Sequence, residues 1–255
     1  MSKILVLPDI HGRQFWKEPC GEISEYDKVV FLGDYLDPYR FEFIREQEAI
    51  ENFKEIIEFK KANSDKVVML LGNHDLPYYS EEYLNFSPRH SRYSWMYHKD
   101  MEQLFNENHD FFSFAFCMDN ILFTHSGVIA DWYVKEMEGK PDDSMQTICQ
   151  KLNGLNQCMR KLFVVSYHRG GWNAYSSCVW SDVDEMMEQE KKTLSKADPS
   201  PLETMRQVFG HTQQVIFDED DERLFGEPVI GKFFKMLDNG HAYCLDTDSF
   251  TTSVV

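Results

Sequence analysis

The chain has 255 residues, 42% hydrophobic and 15% aromatic, enough to bury a sizeable core and to exclude a disordered polypeptide. A formal net charge of −17 opposes long-range attraction to nucleic-acid backbones and anionic membranes, while leaving room for a small phosphorylated molecule in a locally positive pocket. No apolar run approaches the roughly 20 residues that cross a bilayer, and six cysteines (Cys20, Cys117, Cys149, Cys158, Cys178, Cys244) lack Cys-x-x-Cys spacing. A single cytoplasmic domain over 1–255 is the expectation, with reduced cysteines and neither membrane nor nucleic-acid partner. Nothing in the composition selects an oligomeric state.

Residues 4–7 form an apolar run that reads as a strand and empties into Pro8-Asp9-Ile10-His11-Gly12. Residues 15–25 support no more than a turn of helix. A second strand, 29–32, ends in Gly33-Asp34-Tyr35-Leu36-Asp37. Residues 41–62 carry Phe43, Ile50, Phe53, Ile56, Ile57 and Phe59 near helical spacing, which predicts a long surface helix. That helix returns the chain to a third strand, 67–71, followed by Gly72-Asn73-His74-Asp75. Strand, helix, strand makes a parallel crossover. Because α/β sheets collect ligands beyond the carboxyl ends of their strands, the three loops bring Asp, His and Asn to one sheet edge.

Residues 78–97, rich in Tyr, Ser, Arg and His, have no clean period and read as an irregular cap. Residues 111–118 and 121–124 read as a hairpin, since Asp119-Asn120 tolerates the positive φ of a two-residue turn. This hairpin opens a second sheet whose far strand delivers His125-Ser126-Gly127. Residues 144–165 are helical in length, although Gly154 weakens the middle by about 1 kcal/mol relative to Ala. A turn at Arg169-Gly170-Gly171-Trp172 leads to Cys178-Val179-Trp180-Ser181-Asp182. Residues 186–196 read as a polar helix, interrupted by Asp198-Pro199-Ser200-Pro201. A strand at 207–209 runs into Gly210-His211-Thr212, and 218–222 is an acidic loop. Residues 232–237 and 241–245 flank Asp238-Asn239-Gly240 as a closing hairpin.

Taken in order, Asp9-x-His11, Gly33-Asp34-x-x-Asp37, Gly72-Asn73-His74-Asp75, His125-x-Gly127 and Gly210-His211 resemble the calcineurin-like metallophosphoesterase superfamily. More narrowly they are similar to its phosphoprotein phosphatase branch, which holds Ser/Thr phosphatases and symmetrical dinucleoside tetraphosphatases, and Trp180-Ser181-Asp182 resembles a further segment of that branch. The resemblance runs from about Lys3 to Asp248. Singly, Asp9, Asp34 and Asn73 would pass for ordinary turn residues; five motifs in order, each after a strand-like run, would not.

The resemblance implies an α/β sandwich of two mixed sheets flanked by helices, with metals on the loops at one end. It implies that Asp9 and His11 bind one divalent metal, that Asp34 bridges, and that Asn73, His125 and His211 bind a second. The mixed oxygen and nitrogen donors, without cysteine, suit manganese or iron and admit zinc. A hydroxide bridging two such cations is the nucleophile of metal-assisted phosphoester hydrolysis. His74 matches the family's general acid and Asp37 the carboxylate that orients it. The family arginine after the second motif is replaced by Pro38. Arg40 and Arg169 are therefore the candidates for gripping substrate phosphate, with Arg13, Arg92 and Arg206 also open. His90, His98, His109, His168 and His241 read mostly as structural or solvated.

The expected function is hydrolysis of phosphomonoesters, on phosphoproteins or small molecules. One alternative keeps the metals and cleaves a dinucleoside tetraphosphate symmetrically, with the aromatics of 78–97 stacking bases. Another, of a different class, is a silent protein-binding scaffold, which would have no chemical need for the metal ligands and His74.

Overall fold

The structure, a computed structural model, describes residues 2–86, 92–217 and 223–255. The acidic loop expected at 218–222, together with Arg89 and His90, lies outside the described residues. The chain divides into two compact units, Met1–Ser113 with His241–Val255, and Phe114–Gly240. Each is built on one mixed sheet with helices beside it, the α/β class that the sequence implies.

In the first unit the strands are β1 (Lys3–Leu7), β2 (Lys28–Phe31), β3 (Val67–Leu70) and β4 (Phe112–Ser113), joined by β12 (Tyr243–Asp246) and β13 (Thr251–Val254) from the end of the chain. They stand in the order β13-β12-β1-β2-β3-β4, parallel from β1 to β4 and antiparallel elsewhere. β1 to β3 are almost wholly buried, as expected of parallel strands covered on both faces. Its helices are α1 (Lys17–Gly21), α2 (Glu46–Ala62), α3 (Leu76–Tyr79), α4 (Glu81–Phe86) and α5 (His98–Glu107). α2 turns Ile50, Phe53, Ile56 and Ile57 inward, where Phe53 meets Tyr35, Phe105 and Phe112 at ring separations of 4.9, 5.0 and 6.1 Å.

The second unit holds β5 (Ala115–Met118), β6 (Ile121–Thr124), β7 (Arg206–Phe209), β8 (Val215–Phe217), β9 (Arg223–Phe225), β10 (Val229–Ile230) and β11 (Phe234–Met236). Five of these make a sheet in the order β10-β11-β7-β6-β5, and β8 and β9 pair separately. Its helices are α6 (Ala130–Glu136), α7 (Met145–Asn153) and α8 (Val183–Leu194). Among the described residues no helix is long and apolar enough to cross a membrane, and all six cysteines are free.

Several sequence expectations need correction. The helix expected over 41–62 starts at Glu46, because Phe43 takes a left-handed φ of 58° and is 89% exposed, outside the apolar stripe. Arg45 and Glu48 form a capping box at the new start. Part of the irregular stretch 78–97 is the short helices α3 and α4. The run 111–118 is split: residues 112–113 pair with β3 and 115–118 with β6, so only the second part is a hairpin arm. The turn of that hairpin is as expected, with φ of 50° at Asp119 and 58° at Asn120.

The helix expected over 144–165 stops at Asn153, whose side chain bonds the backbone at Phe114 and Ala115, and 3-10 turns follow from Gly154. α8 begins three residues early, on the Asp182–Glu185 capping box. The closing hairpin does not form. β11 pairs with β7 and β10, and β12 with β1 and β13.

Candidate active site

In the first unit, parallel β1, β2 and β3 end side by side, and their following loops carry Asp9 and His11, Asp34 and Asp37, and Asn73 and His74. Main-chain bonds stitch the first two loops together: His11 N–H donates to the Asp34 carbonyl (2.6 Å) and Gly12 N–H to that of Tyr35 (3.1 Å). The third loop is tied by Asp75, whose carboxylate accepts from the amides of Asp34 (2.7 Å), Tyr35 (2.9 Å) and Gly72 (2.8 Å). The loops approach so closely that a Cβ on Gly33, at φ 107°, would lie 2.4 Å from the Gly72 nitrogen. Non-glycine residues His11, Asp34 and Asp37 all take positive φ (44°, 54°, 57°), a strain that persists where the surroundings over-determine it and that clusters at functional sites.

Asp9, His11, Asp34, Asp37 and Asn73 are all buried. His11 places Nδ1 2.8 Å from the Leu36 carbonyl, to which it donates, so Nε2 keeps its lone pair. That Nε2 is 3.4 Å from an Asp34 carboxylate oxygen. Burial, followed by the charges of Arg92, His74 and Arg13, holds the His11 imidazole well below its usual pKa, in the neutral form a metal needs. His11, Asp34 and His74 offer donor atoms within 4.8 Å of one another, spacing that could hold a metal ion.

His74 forms a dyad with Asp37: Nδ1 lies 2.9 Å from Oδ2, and the His74 amide donates to Asp34 Oδ1 at 2.9 Å. The other Asp37 oxygen accepts from the Tyr78 hydroxyl at 2.7 Å, which in turn accepts from the Ser94 amide at 2.8 Å. Arg92 donates from Nε to the Asp37 carbonyl (3.0 Å), and its Nη2 stands 3.1 Å from His74 Nε2 and 3.4 Å from His11 Nε2. Its guanidinium lies 3.6 Å from the centroid of the Tyr39 ring.

The second unit brings together His125 and His211, because β6 and β7 are parallel neighbours and each ends in its histidine loop. Both are buried, with His125 Nε2 3.1 Å from His211 Nδ1. His211 takes φ 69° and packs edge-on against Trp180 at 5.9 Å. Ser181 donates to the Ser126 and Gly127 carbonyls (2.8 Å each), which braces the His125 loop from the Trp180-Ser181-Asp182 segment.

The two candidate phosphate arginines stand in different surroundings. Arg40 is exposed on the 3-10 turn Arg40–Glu42, where its carbonyl accepts from the Phe43 amide at 3.4 Å. Arg169 pairs with Asp182 (2.8 Å) and donates to Thr212 Oγ1 (2.7 Å) and the His211 carbonyl (3.2 Å). Arg13 is buried against Glu42 (2.8 Å) and the Asp9 carbonyl (3.0 Å). Sequence reasoning missed the clamp role of Asp75, which an acceptor three residues after a turn glycine could have signalled. It also missed Tyr78 and Ser181, for which no local signal exists.

Among curated proteins none matches the chain. A family model described as calcineurin-like phosphoesterase matches residues 2–215, a span that takes in every loop just described, and the chain therefore belongs to that family of metal-dependent hydrolases of phosphate esters.

Proposed function

We propose that this protein is a cytoplasmic phosphatase of the phosphoprotein phosphatase branch, hydrolysing phosphomonoesters of proteins or small molecules. The observation that carries the reading is the His74–Asp37 dyad, whose imidazole lies with His11 and Asp34 in one group of donor atoms within 4.8 Å of one another. The cytoplasmic part rests on six scattered, free cysteines.

Asp9, His11, Asp34, Asn73, His125 and His211 are the residues we assign to two divalent metals. The donors fit: His11 is turned so that Nε2 offers its lone pair, and the His125 and His211 nitrogens converge at 3.1 Å as ligands of one cation would. Carboxylates, an amide and imidazoles without thiolate suit manganese or iron and accommodate zinc. When bound, such metals supply positive charge to the phosphoryl oxygens and a water acidic enough to attack near neutral pH.

The chain's own residues do the rest. With Nδ1–H donated to Asp37, Nε2 of His74 is the nitrogen that passes a proton to the departing oxygen. The carboxylate holds the ring in this orientation, with Nε2 turned away from Asp37. Tyr78 fixes the carboxylate in turn.

Symmetrical cleavage of a dinucleoside tetraphosphate is the second reading, favoured by Trp95. It is 70% exposed and lies edge-on to Tyr93 at 4.9 Å, whereas Tyr78 and Tyr93 cover each other at 4.6 Å.

The test is turnover by metal-stripped protein reloaded with manganese, iron or zinc, on phosphopeptides, p-nitrophenyl phosphate, nucleotides and diadenosine tetraphosphate. Hydrolysis is expected only with metal, and most strongly on phosphomonoesters. Activity surviving verified metal removal, or an Asp34→Asn protein that stays fully loaded and active, refutes the mechanism. Preference for the tetraphosphate selects the second reading.

A further inference from the structure

We propose that Arg92, braced by Tyr39, is the residue of the first unit that grips the phosphoryl group of the substrate, an inference that rests on the phosphatase reading above. Arg92 belongs to none of the sequence motifs and stands in the stretch between α4 and α5. Its backbone takes a left-handed φ of 63°, an uncommon conformation for a side chain of this size.

Two contacts aim the guanidinium. Nε donates to the Asp37 carbonyl at 3.0 Å. The planar group stacks on Tyr39, 3.6 Å from the ring centroid, a separation at which the cation meets the negative face of the ring. Tyr39 is itself edge-on to His11 at 4.8 Å. Nη2 is thereby delivered between the Nε2 atoms of His74 (3.1 Å) and His11 (3.4 Å), the nitrogens of the general acid and of a metal ligand. A phosphate whose leaving oxygen faces His74 would meet Nη2 within one hydrogen bond.

The charge argument points the same way. Asp9, Asp34 and Asp37 are buried in a chain of net charge −17, so a guanidinium beside them adds positive charge of the protein's own to what bound metals would supply to a phosphate dianion. An anionic phosphate oxygen is a stronger partner for a guanidinium than an imidazole nitrogen is, since it gives a charge-assisted bond and suits the forked geometry. Arg13 is committed to Glu42 and the Asp9 carbonyl, and Arg40 points into solvent. Tyr39 acts as a positioning residue, since it sets the guanidinium plane without reaching the phosphate.

The experiment measures inorganic phosphate binding by calorimetry on metal-reloaded protein, with metal content and thermal unfolding recorded for every variant. Arg92→Ala is expected to retain its metals and weaken phosphate binding on the order of 10- to 100-fold. Arg92→Lys keeps a charge but loses the fork and the stacking, and should recover only part of the loss. Tyr39→Leu should weaken phosphate binding less, and should add nothing when Arg92 is already alanine. Arg40→Ala should bind as the unchanged protein does.

Phosphate affinity within about two-fold of the unchanged protein in metal-loaded Arg92→Ala overturns the proposal, as does a loss confined to Arg40→Ala. Metal affinity that changes in both Arg92 variants while phosphate binding follows metal content would make Arg92 a neighbour of the metal ligands and would also overturn it. Failure of the unchanged protein to bind metals or phosphate at all would instead sink the phosphatase reading.

Discussion

Replacing Asp75 by alanine removes the acceptor of three buried amides, those of Asp34, Tyr35 and Gly72, at 2.7, 2.9 and 2.8 Å. Each stranded donor costs about 1–3 kcal/mol, or roughly 3–9 kcal/mol together, against a total of about 5–15 kcal/mol for a typical domain. Asp75→Ala should therefore lower the urea midpoint sharply or prevent folding of the first unit. Asp75→Asn separates the geometry from the charge. An amide oxygen at the Oδ2 position keeps the bonds from Asp34 and Gly72, while the NH2 faces the Tyr35 amide, leaving one donor stranded at about 1–3 kcal/mol. Removing a charge offsets part of this, because burial and the neighbouring Asp34 already push the Asp75 carboxyl well above its usual pKa. Urea unfolding gives the stability change, and elemental analysis shows whether Asp34, held at φ 54°, still supports metal binding. An Asp75→Ala protein with an unchanged urea midpoint would refute the clamp and the reasoning built on it.

His74→Asn should keep its fold and metals yet lose about 10²–10⁴-fold on alkyl phosphates and distinctly less on p-nitrophenyl phosphate, because nitrophenolate leaves without a proton. Asp37→Asn should show the same trend more mildly; equal loss on both substrates would mean that His74 is not the acid. Arg169→Ala should lower thermal stability through the loss of its bonds to Asp182, Thr212 and the His211 carbonyl, while phosphate affinity holds. The opposite pattern would make it a phosphate ligand. The Asp143 carboxyl is held down to about 2 by the Lys140 amide, the Tyr133 hydroxyl and Lys151. Its contribution is therefore present above the ordinary value of 3.8 and lost as pH falls through about 2. Comparing Asp143→Asn with the unchanged protein, the difference in melting temperature should shrink over that window; a constant difference would contradict the assignment.

By itself, the sequence determined the three strand-loop units that carry Asp9, His11, Asp34, Asn73 and His74. A buried parallel strand is a short apolar run, and a glycine-containing loop must follow where the chain leaves the sheet, so both signals are local. The turn at Asp119-Asn120 was legible for the same reason, since its positive φ values select the residue types. Partner choice was not legible. Asp238-Asn239-Gly240 satisfies its turn chemistry whether the flanking strands pair with each other or, as here, join different sheets, and Phe112 and Ala115 lie three positions apart yet pair with β3 and β6. The tertiary structure alone brought Arg92 to His11, 81 positions away. A guanidinium on a long side chain carries no periodic signal, and what it reaches depends on where the backbone of Arg92 is held relative to Asp37 and Tyr39.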